Sequence, residues 1–203
     1  GFTTNADGTY AATALPPGKY YVRTSNTLGY VDELFDSLPC PSQSCLRTQP
    51  GTTLLVNAGV AVNNISFDLA VGGALTGTVT SEASGAPLAG VTVWIYNTSS
   101  TSSDNISVTT NAQGVFVRTG LPTGTYYVRT SNSLGYIDEL YNDLPCVGGA
   151  CAPFTNGAGV SVTAGSVTSS IDFILASGGT ISGTVTAVGT GTPPPMQAGI
   201  RRR

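Results

Sequence analysis

The sequence contains no histidine and very few charged residues, and both shortages exclude classes of function. Only 9% of the 203 residues are charged, and Lys19 is the only lysine, whereas a typical globular domain has about 25% charged residues. Without histidine, a Ser-His-Asp or Cys-His catalytic arrangement cannot be assembled, and no metal site can have a histidine ligand.

The net charge is −3, and three of the eight basic residues are the terminal arginines 201–203. The rest of the chain therefore has five basic residues against eleven acidic ones. Nucleic acids and anionic membrane surfaces are bound by clustered Lys and Arg, so neither is predicted as a partner. No run of 18 or more apolar residues occurs, and we predict no membrane-spanning segment.

Glycine, proline and an internal repeat are what the sequence has in abundance. It contains 26 Gly and 12 Pro, and 40% of it is hydrophobic. The segment YYVRTSNTLGYVDELFDSLPC at 20–40 recurs as YYVRTSNSLGYIDELYNDLPC at 126–146. At this offset of 106 residues, 40 of the 80 aligned pairs between 1–80 and 107–186 are identical. A tandem repeat of this kind indicates repeated structural units.

The repeat divides the chain into three parts. Residues 74–179 are one complete unit, and residues 1–73 are the later part of a preceding unit that lacks its first strands. Residues 180–203 begin a further unit with TISGTVT and continue into an irregular tail. We expect the chain to be either a piece of a longer array or a processed subunit.

Short alternating segments separated by Gly and Pro predict strands throughout the complete unit. They lie at 75–80, 91–96, 106–110, 114–119, 125–131, 159–164 and 170–176. No segment has the apolar spacing of a helix over ten residues. The prediction is an all-β fold of tandem, seven-stranded, antiparallel Greek-key β-sandwich modules.

The motifs of residues 77–128 resemble the carboxypeptidase regulatory-like domain, a relative of the transthyretin-like and Cna-B-type sandwiches. The resemblance rests on the Ser84-Gly85-x-Pro87 turn, the Asn111 to Gly114 turn and the Leu121-Pro122-x-Gly124-x-Tyr126 corner. It implies a non-catalytic spacer, stalk or adhesive module of a secreted or surface protein. The insertion GYxDELxxxLPCxxxxC departs from the family pattern. The complete unit contains no lysine, which argues against a Lys–Asn isopeptide bond in it.

The four cysteines form two C-x4-C pairs, one in each repeat. They are Cys40 with Cys45 and Cys146 with Cys151. This spacing allows the Cα separation of a disulfide, about 4.4–6.8 Å, and we predict two local disulfides in an oxidising, extracellular or cell-surface location. A cysteine metal site is the weaker alternative because the two pairs lie a full unit apart.

Acidic residues cluster once in each repeat, a few residues after the predicted strand that contains two consecutive tyrosines. They are Asp32, Glu33 and Asp36, and in the second copy Asp138, Glu139 and Asp143. Carboxylates suit Ca²⁺, but each loop supplies only three, so a solvated or packed loop is the leading interpretation. No catalytic residue and no cofactor other than this weak Ca²⁺ candidate are predicted.

Aromatic residues and glycosylation motifs give further candidates for contacts. Candidate interface or glycan-contact residues are Trp94, Tyr96, Tyr136 and Tyr141. The alternative is that the 132–157 insertion, which contains Tyr136 and Tyr141, covers Trp94 and Tyr96. The candidate glycosylation sites are Asn64, Asn97 and Asn105, each in an Asn-x-Ser/Thr motif.

These features predict a structural protein that works as a stalk, adhesin or extracellular filament. The segment Thr180, Ile181, Ser182, Gly183, Thr184 and Val185 is a candidate donor strand, which would complete the N-terminal unit of the next molecule head to tail. The expected partners are other copies or neighbouring repeats. The alternative is an accessory carbohydrate- or peptide-binding module of a larger secreted hydrolase.

Overall fold

The computed structural model describes residues 1–41, 45, 51–97, 106–146, 151–188 and 191. In these ranges the chain consists of strands, turns and irregular segments with very little helix, and no helix is long and apolar enough to cross a membrane. The strands are β1 (Gly18–Tyr20), β2 (Glu33–Leu34), β3 (Leu38–Pro39), β4 (Leu54–Val56), β5 (Gly73–Ser81), β6 (Thr92–Asn97), β7 (Ile106–Thr109), β8 (Val115–Leu121), β9 (Gly124–Ser131), β10 (Glu139–Leu140), β11 (Leu144–Pro145), β12 (Val160–Val162), β13 (Val167–Thr168) and β14 (Phe173–Leu175), and one short helix is α1 (Pro153–Asn156).

Residues 74–179, which the repeat predicts to be a complete unit and which are called the complete module below, form two packed sheets. The larger sheet has the order β11-β10-β9-β6-β7, with β12 also paired to β9. In the smaller sheet β5 pairs with β8, β13 and β14. All seven segments predicted from alternation contain a strand, and the described residues add the short strands β10, β11 and β13.

Alternation along each strand places one face of each sheet in the shared core. Burial in β5 alternates residue by residue along its whole length. From the larger sheet come Val93, Ile95 and Tyr126, which meet Phe116 and Phe173 of the smaller sheet, and all five side chains are buried. The core is thus formed by the alternating apolar residues of the sequence.

The expectation of a purely antiparallel sandwich is wrong for the smaller sheet. Both β13 and β14 run parallel to β5, with Val167 opposite Ala74 and Phe173 opposite Val79. The chain reaches these strands from β12 in the other sheet, and a crossover between sheets allows parallel pairing where a tight hairpin does not. As a result, the first and last strands of the module are parallel neighbours.

Residues 1–73, called the N-terminal unit below, repeat only part of this architecture. The pairing of β1 with β4 sets Gly18 opposite Val56, as β9 with β12 sets Gly124 opposite Val162. The β2–β3 pair likewise matches the β10–β11 pair. By contrast, the counterparts of β8, β13 and β14, at 9–15, 61–62 and 67–69, are assigned to no strand.

The three unassigned positions of the N-terminal unit share one feature. In the complete module, β8, β13 and β14 all pair with β5, whereas the segments at 9–15, 61–62 and 67–69 pair with no strand of the described residues. Side-chain contact persists without the sheet, since Tyr10 and Phe67 lie with ring centroids 6.4 Å apart, as do Phe116 and Phe173. The ring contact thus recurs in the N-terminal unit, whereas the strand pairings made by β5 do not.

Two glycines at the same repeat position give a test of how tightly β5 is packed. A Cβ at Gly77 would collide with the carbonyl of Ile171, whereas a Cβ at Gly183 would meet nothing within 4 Å. We expect Gly77→Ala to lower the free energy of unfolding by at least about 3 kcal/mol and Gly183→Ala to leave it unchanged. Urea unfolding followed by the fluorescence of Trp94, the only tryptophan, measures both. Equal stabilities would contradict this packing.

Candidate functional site

A set of side-chain hydrogen bonds determines the shape of the loop at 26–32, called the first junction loop below. The Asn26 side chain accepts hydrogen bonds from the amides of Leu28 and Tyr30 at 2.9 and 3.3 Å. It donates to the Tyr30 carbonyl at 3.1 Å and to the Asp32 carboxylate at 2.7 Å. Gly29 has a φ of 90°, so one asparagine and one glycine determine the shape of the loop.

The loop at 132–138, called the second junction loop below, has the same internal structure. Asn132 accepts from the amides of Leu134 and Tyr136 at 2.9 and 3.3 Å and donates to the Tyr136 carbonyl and the Asp138 carboxylate at 3.2 and 2.6 Å. Gly135 has a φ of 88°. Two loops that differ only at Thr27/Ser133 and Val31/Ile137 therefore adopt the same hydrogen-bonded structure in two different surroundings.

Both junction loops are attached to the segment that leaves their own unit. In the first copy, the amide of Val31 donates to Ala70 and that of Gly72 to Gly29, each at 2.9 Å. In the second copy, the amide of Ile137 donates to the carbonyl of Ala176 at 2.9 Å. The amide of Gly178 donates to the carbonyl of Gly135 at 2.7 Å. Each loop thus lies at the point where its unit ends.

The first junction loop also contacts strand β8 of the complete module. At Gly120, which has a φ of 72°, a Cβ would lie 2.6 Å from the Tyr30 carbonyl oxygen. Nη2 of Arg118 donates to the carbonyl of Pro41 at 2.7 Å. A cavity of about 260 Å³ remains between loop and strand, lined by Asn26, Thr27, Tyr30, Asp32, Val117, Arg118, Thr119 and Gly120. The two repeat units meet at this junction.

Charge is partly buried at the junction. Burial lowers the pKa of the Arg118 guanidinium, and the charge of Asp32 opposes this shift. The neighbouring Tyr126 hydroxyl donates to the Pro122 carbonyl at 2.9 Å, and burial raises its pKa to about 12. Arg118 is therefore the cation of the site, while Tyr126 stays neutral.

Each junction loop is followed by a disulfide. Cys40 is bonded to Cys45 and Cys146 to Cys151, with Cα atoms 5.5 and 5.3 Å apart. The amide of Cys40 donates to the backbone carbonyl of Asp32, and the amide of Cys146 donates to the backbone carbonyl of Asp138, both at 2.6 Å. The disulfide ring is therefore anchored to the last residue of the loop before it.

Comparison with known proteins identifies the complete module. Residues 74–176, just over half of the chain, match the model of the carboxypeptidase regulatory-like domain. The chain belongs to this family. No curated protein matches it.

Several solved structures are similar to the chain. The backbone protein of the group B streptococcus pilus 2b is 18% identical, with 81% of this chain and 53% of that chain covered and a TM-score of 0.35. The shaft pilin SpaA of Lactobacillus rhamnosus GG is 15% identical, with 89% of this chain and 69% of that chain covered and a TM-score of 0.38. A DUF3823 family protein from Bacteroides uniformis is 18% identical, with 51% of this chain and 43% of that chain covered and a TM-score of 0.32. The chain thus spans only about half of two of these proteins, and TM-scores this low indicate no function.

The acidic residues predicted as weak Ca²⁺ candidates are engaged separately in this regulatory-like chain. Asp32 and Asp138 accept hydrogen bonds from asparagines, and Asp36 accepts one from the Thr52 hydroxyl at 3.0 Å. Glu33 and Glu139 are buried, and Asp143 lies in a turn with a φ of 57°. Within the described ranges, no three His, Cys, Asp or Glu side chains come together in a way that could hold a metal ion.

The aromatic candidates do not form one platform. Trp94 and Tyr96 are half-buried on the outer face of β6, where Phe154 of α1 packs edge-on against Tyr96 with ring centroids 6.1 Å apart. Tyr136 and Tyr141 pack instead against the core of the regulatory-like module. The ring of Tyr141 lies 6.2 Å from that of Phe173.

The other sequence-predicted candidates are placed as follows. The donor segment 180–185 is exposed and assigned to no strand. Asn64 is exposed with a φ of 63°, and Asn97 ends β6, while Asn105 lies outside the described residues. Sequence reasoning missed Arg118 and Gly120, although the replacement of both by alanine in the other copy, at Ala12 and Ala14, was a readable signal.

Glu139 gives the family module a predictable pH dependence. Burial raises the pKa of its carboxyl to about 7, and the charges of Asp143 and Glu82 add to the shift. Since the folded pKa lies above the unfolded value, the cost of burying the charge is absent at low pH and grows as pH rises through about 7.

We therefore expect the melting temperature to fall between about pH 5 and about pH 8, and Glu139→Gln to make this fall shallower. Differential scanning calorimetry across that pH range measures the melting temperatures of the unsubstituted chain and of the Glu139→Gln variant. The same pH slope in the two proteins would contradict the role of Glu139.

Proposed function

We propose that the chain is a non-catalytic structural segment of a secreted or cell-surface protein, in which regulatory-like modules follow one another head to tail as a stalk, adhesin or filament. In this proposal residues 1–73 are an incomplete β-sandwich unit and 74–179 a complete one. Residues 180–203 begin a further unit.

The parallel pairing of the first and last strands of the module carries the proposal. Because β14 runs beside β5 in the same direction, the chain enters near Gly73 and leaves beyond Leu175, at the opposite end of the sheet. A nine-residue strand spans about 26 Å. Modules linked in this way extend along a line, as a stalk requires, rather than folding back on each other.

The chemistry of the described residues supports a structural role. The carboxylates of the junction loops accept hydrogen bonds from Asn26 and Asn132, and the sequence has no histidine to act as a general base. Two disulfides indicate an oxidising compartment. Each stabilises by constraining its own short loop, worth about 2–3 kcal/mol in the chain-entropy model.

Strand donation between molecules is the finer form of the proposal. The segments at 9–15 and 67–69 lack a β5-type partner, and unpaired strand edges of this kind accept a strand from another chain. Residues 183–186 repeat the Gly-Thr-Val-Thr of β5 at 77–80, and the segment is exposed. Donation from each molecule to the next is heterologous and therefore propagates as a filament.

Gly183→Ala tests donation sharply, because it leaves the isolated molecule undisturbed. In a donated strand, residue 183 would take the place of Gly77, and the added Cβ would meet the carbonyl of Ile65, the counterpart of Ile171. We expect the unsubstituted chain to form filaments in negative-stain electron microscopy and oligomers in light scattering, and Gly183→Ala to stay monomeric.

The matched control is Val188→Ala, since Val188 is fully exposed and lies beyond the segment that aligns with β5. This variant should assemble like the unsubstituted chain. Discrete monomers of the unsubstituted chain at high concentration, or filaments of Gly183→Ala, would refute strand donation.

A further inference from the structure

We propose that the second junction loop is a docking surface for a following regulatory-like module that carries arginine and glycine at the positions of Arg118 and Gly120. The inference rests on the proposed head-to-tail order of modules, and it adds the determinant by which one module recognises the next.

The occupied first junction loop defines what docking requires. The carbonyl of Tyr30 approaches β8 so closely that only a residue without a Cβ fits at Gly120. Arg118 reaches past the loop to the Pro41 carbonyl and lies in the field of Asp32. A hydrogen bond from a guanidinium that is partly desolvated is among the stronger contacts available at such a surface.

The second junction loop presents the same backbone shape at 132–138. Its asparagine makes the same hydrogen bonds as in the first loop, and the loop is attached to the end of its own unit in the same way. Leu134 at its tip is half-exposed, while the counterpart of Pro41, at position 147, lies outside the described residues. The part of the surface formed by 132–138 is therefore preformed, and docking requires no rearrangement of the loop.

The N-terminal unit carries a different pair of residues at these two positions. Ala12 stands at the position of Arg118 and supplies no cation. Ala14 stands at the position of Gly120 and shares its positive φ, at 57°, so its Cβ points where a Tyr136 carbonyl would approach. The proposal therefore predicts a closer and stronger contact with an arginine–glycine module than with an alanine–alanine one, and a strand donated to the N-terminal unit would lack this additional contact.

The test uses a longer chain in which residues 1–179 are followed directly by a second copy of 74–179. The appended copy carries Ser133→Thr, the residue found at Thr27, so that peptides from the two loops differ in mass. A matched chain has Arg118→Ala and Gly120→Ala in the appended copy only. Hydrogen exchange of the 132–138 amides in the original module is measured by mass spectrometry.

We expect these amides to exchange about tenfold more slowly with the Arg–Gly copy than with the Ala–Ala copy, as the loss of a charged hydrogen bond implies. Equal exchange with both appended copies folded would overturn the proposal. If the Ala–Ala copy does not fold, the chain with the Arg–Gly copy is instead compared with and without Asp138→Asn in the original module. The effect of Asp138→Asn on the exchange of the same amides in the 203-residue chain is the baseline and is subtracted. Faster exchange beyond that baseline supports docking, and none overturns it.

Failure of this docking and failure of strand donation are separate outcomes. In the extended chain the β5-type strand is supplied within the same molecule, so the exchange result does not depend on filaments. Protection of 132–138 together with no filaments would retain docking and reject donation. Filaments together with unprotected 132–138 amides would retain donation and reject docking.

Discussion

The backbone pairing of β5 is the constraint on which the rest of this structure depends. This strand holds β8 on one side and β13 and β14 on the other, and Gly77 lets the Ile171 backbone lie directly against it. Where β5 is present, ten strands enclose a core with Phe116 and Phe173 at its centre. At the matching repeat positions 9–15, 61–62 and 67–69, residues with half-identical sequence are assigned to no strand.

Local and long-range order separate clearly between the two repeats. The junction loops form in both copies because each is built from contacts within seven residues, with Asn26 and Asn132 supplying the bonds. The strands β8 and β14 instead pair with β5, which is distant from them in sequence, and the corresponding segments at 9–15 and 67–69 pair with no strand of the described residues. Sequence identity therefore predicts the loops of a repeat more safely than its sheets.

Much of the fold was predictable from alternation and turn residues. The buried positions Val91, Val93 and Ile95, and the outward Trp94, follow from a period of two. The spacing of the cysteines was also informative, and both disulfides are present. The direction of β13 and β14 was not predictable, because alternation specifies which face is buried but not which strand lies alongside. The junction was missed because Arg118 and Gly120 read locally as ordinary strand residues, and their role depends on contacts with Tyr30 and Pro41 across the repeat.

Hydrogen exchange of the unsubstituted chain, below and above the concentration at which it assembles, tests the central claim about β5 most directly. The account predicts rapid exchange at 9–15 and 67–69 in the monomer, slow exchange at 115–121 and 173–175, and protection of the first two segments on assembly. Protection of 9–15 and 67–69 already in the monomer would contradict the claim that a β5-type strand is what orders them.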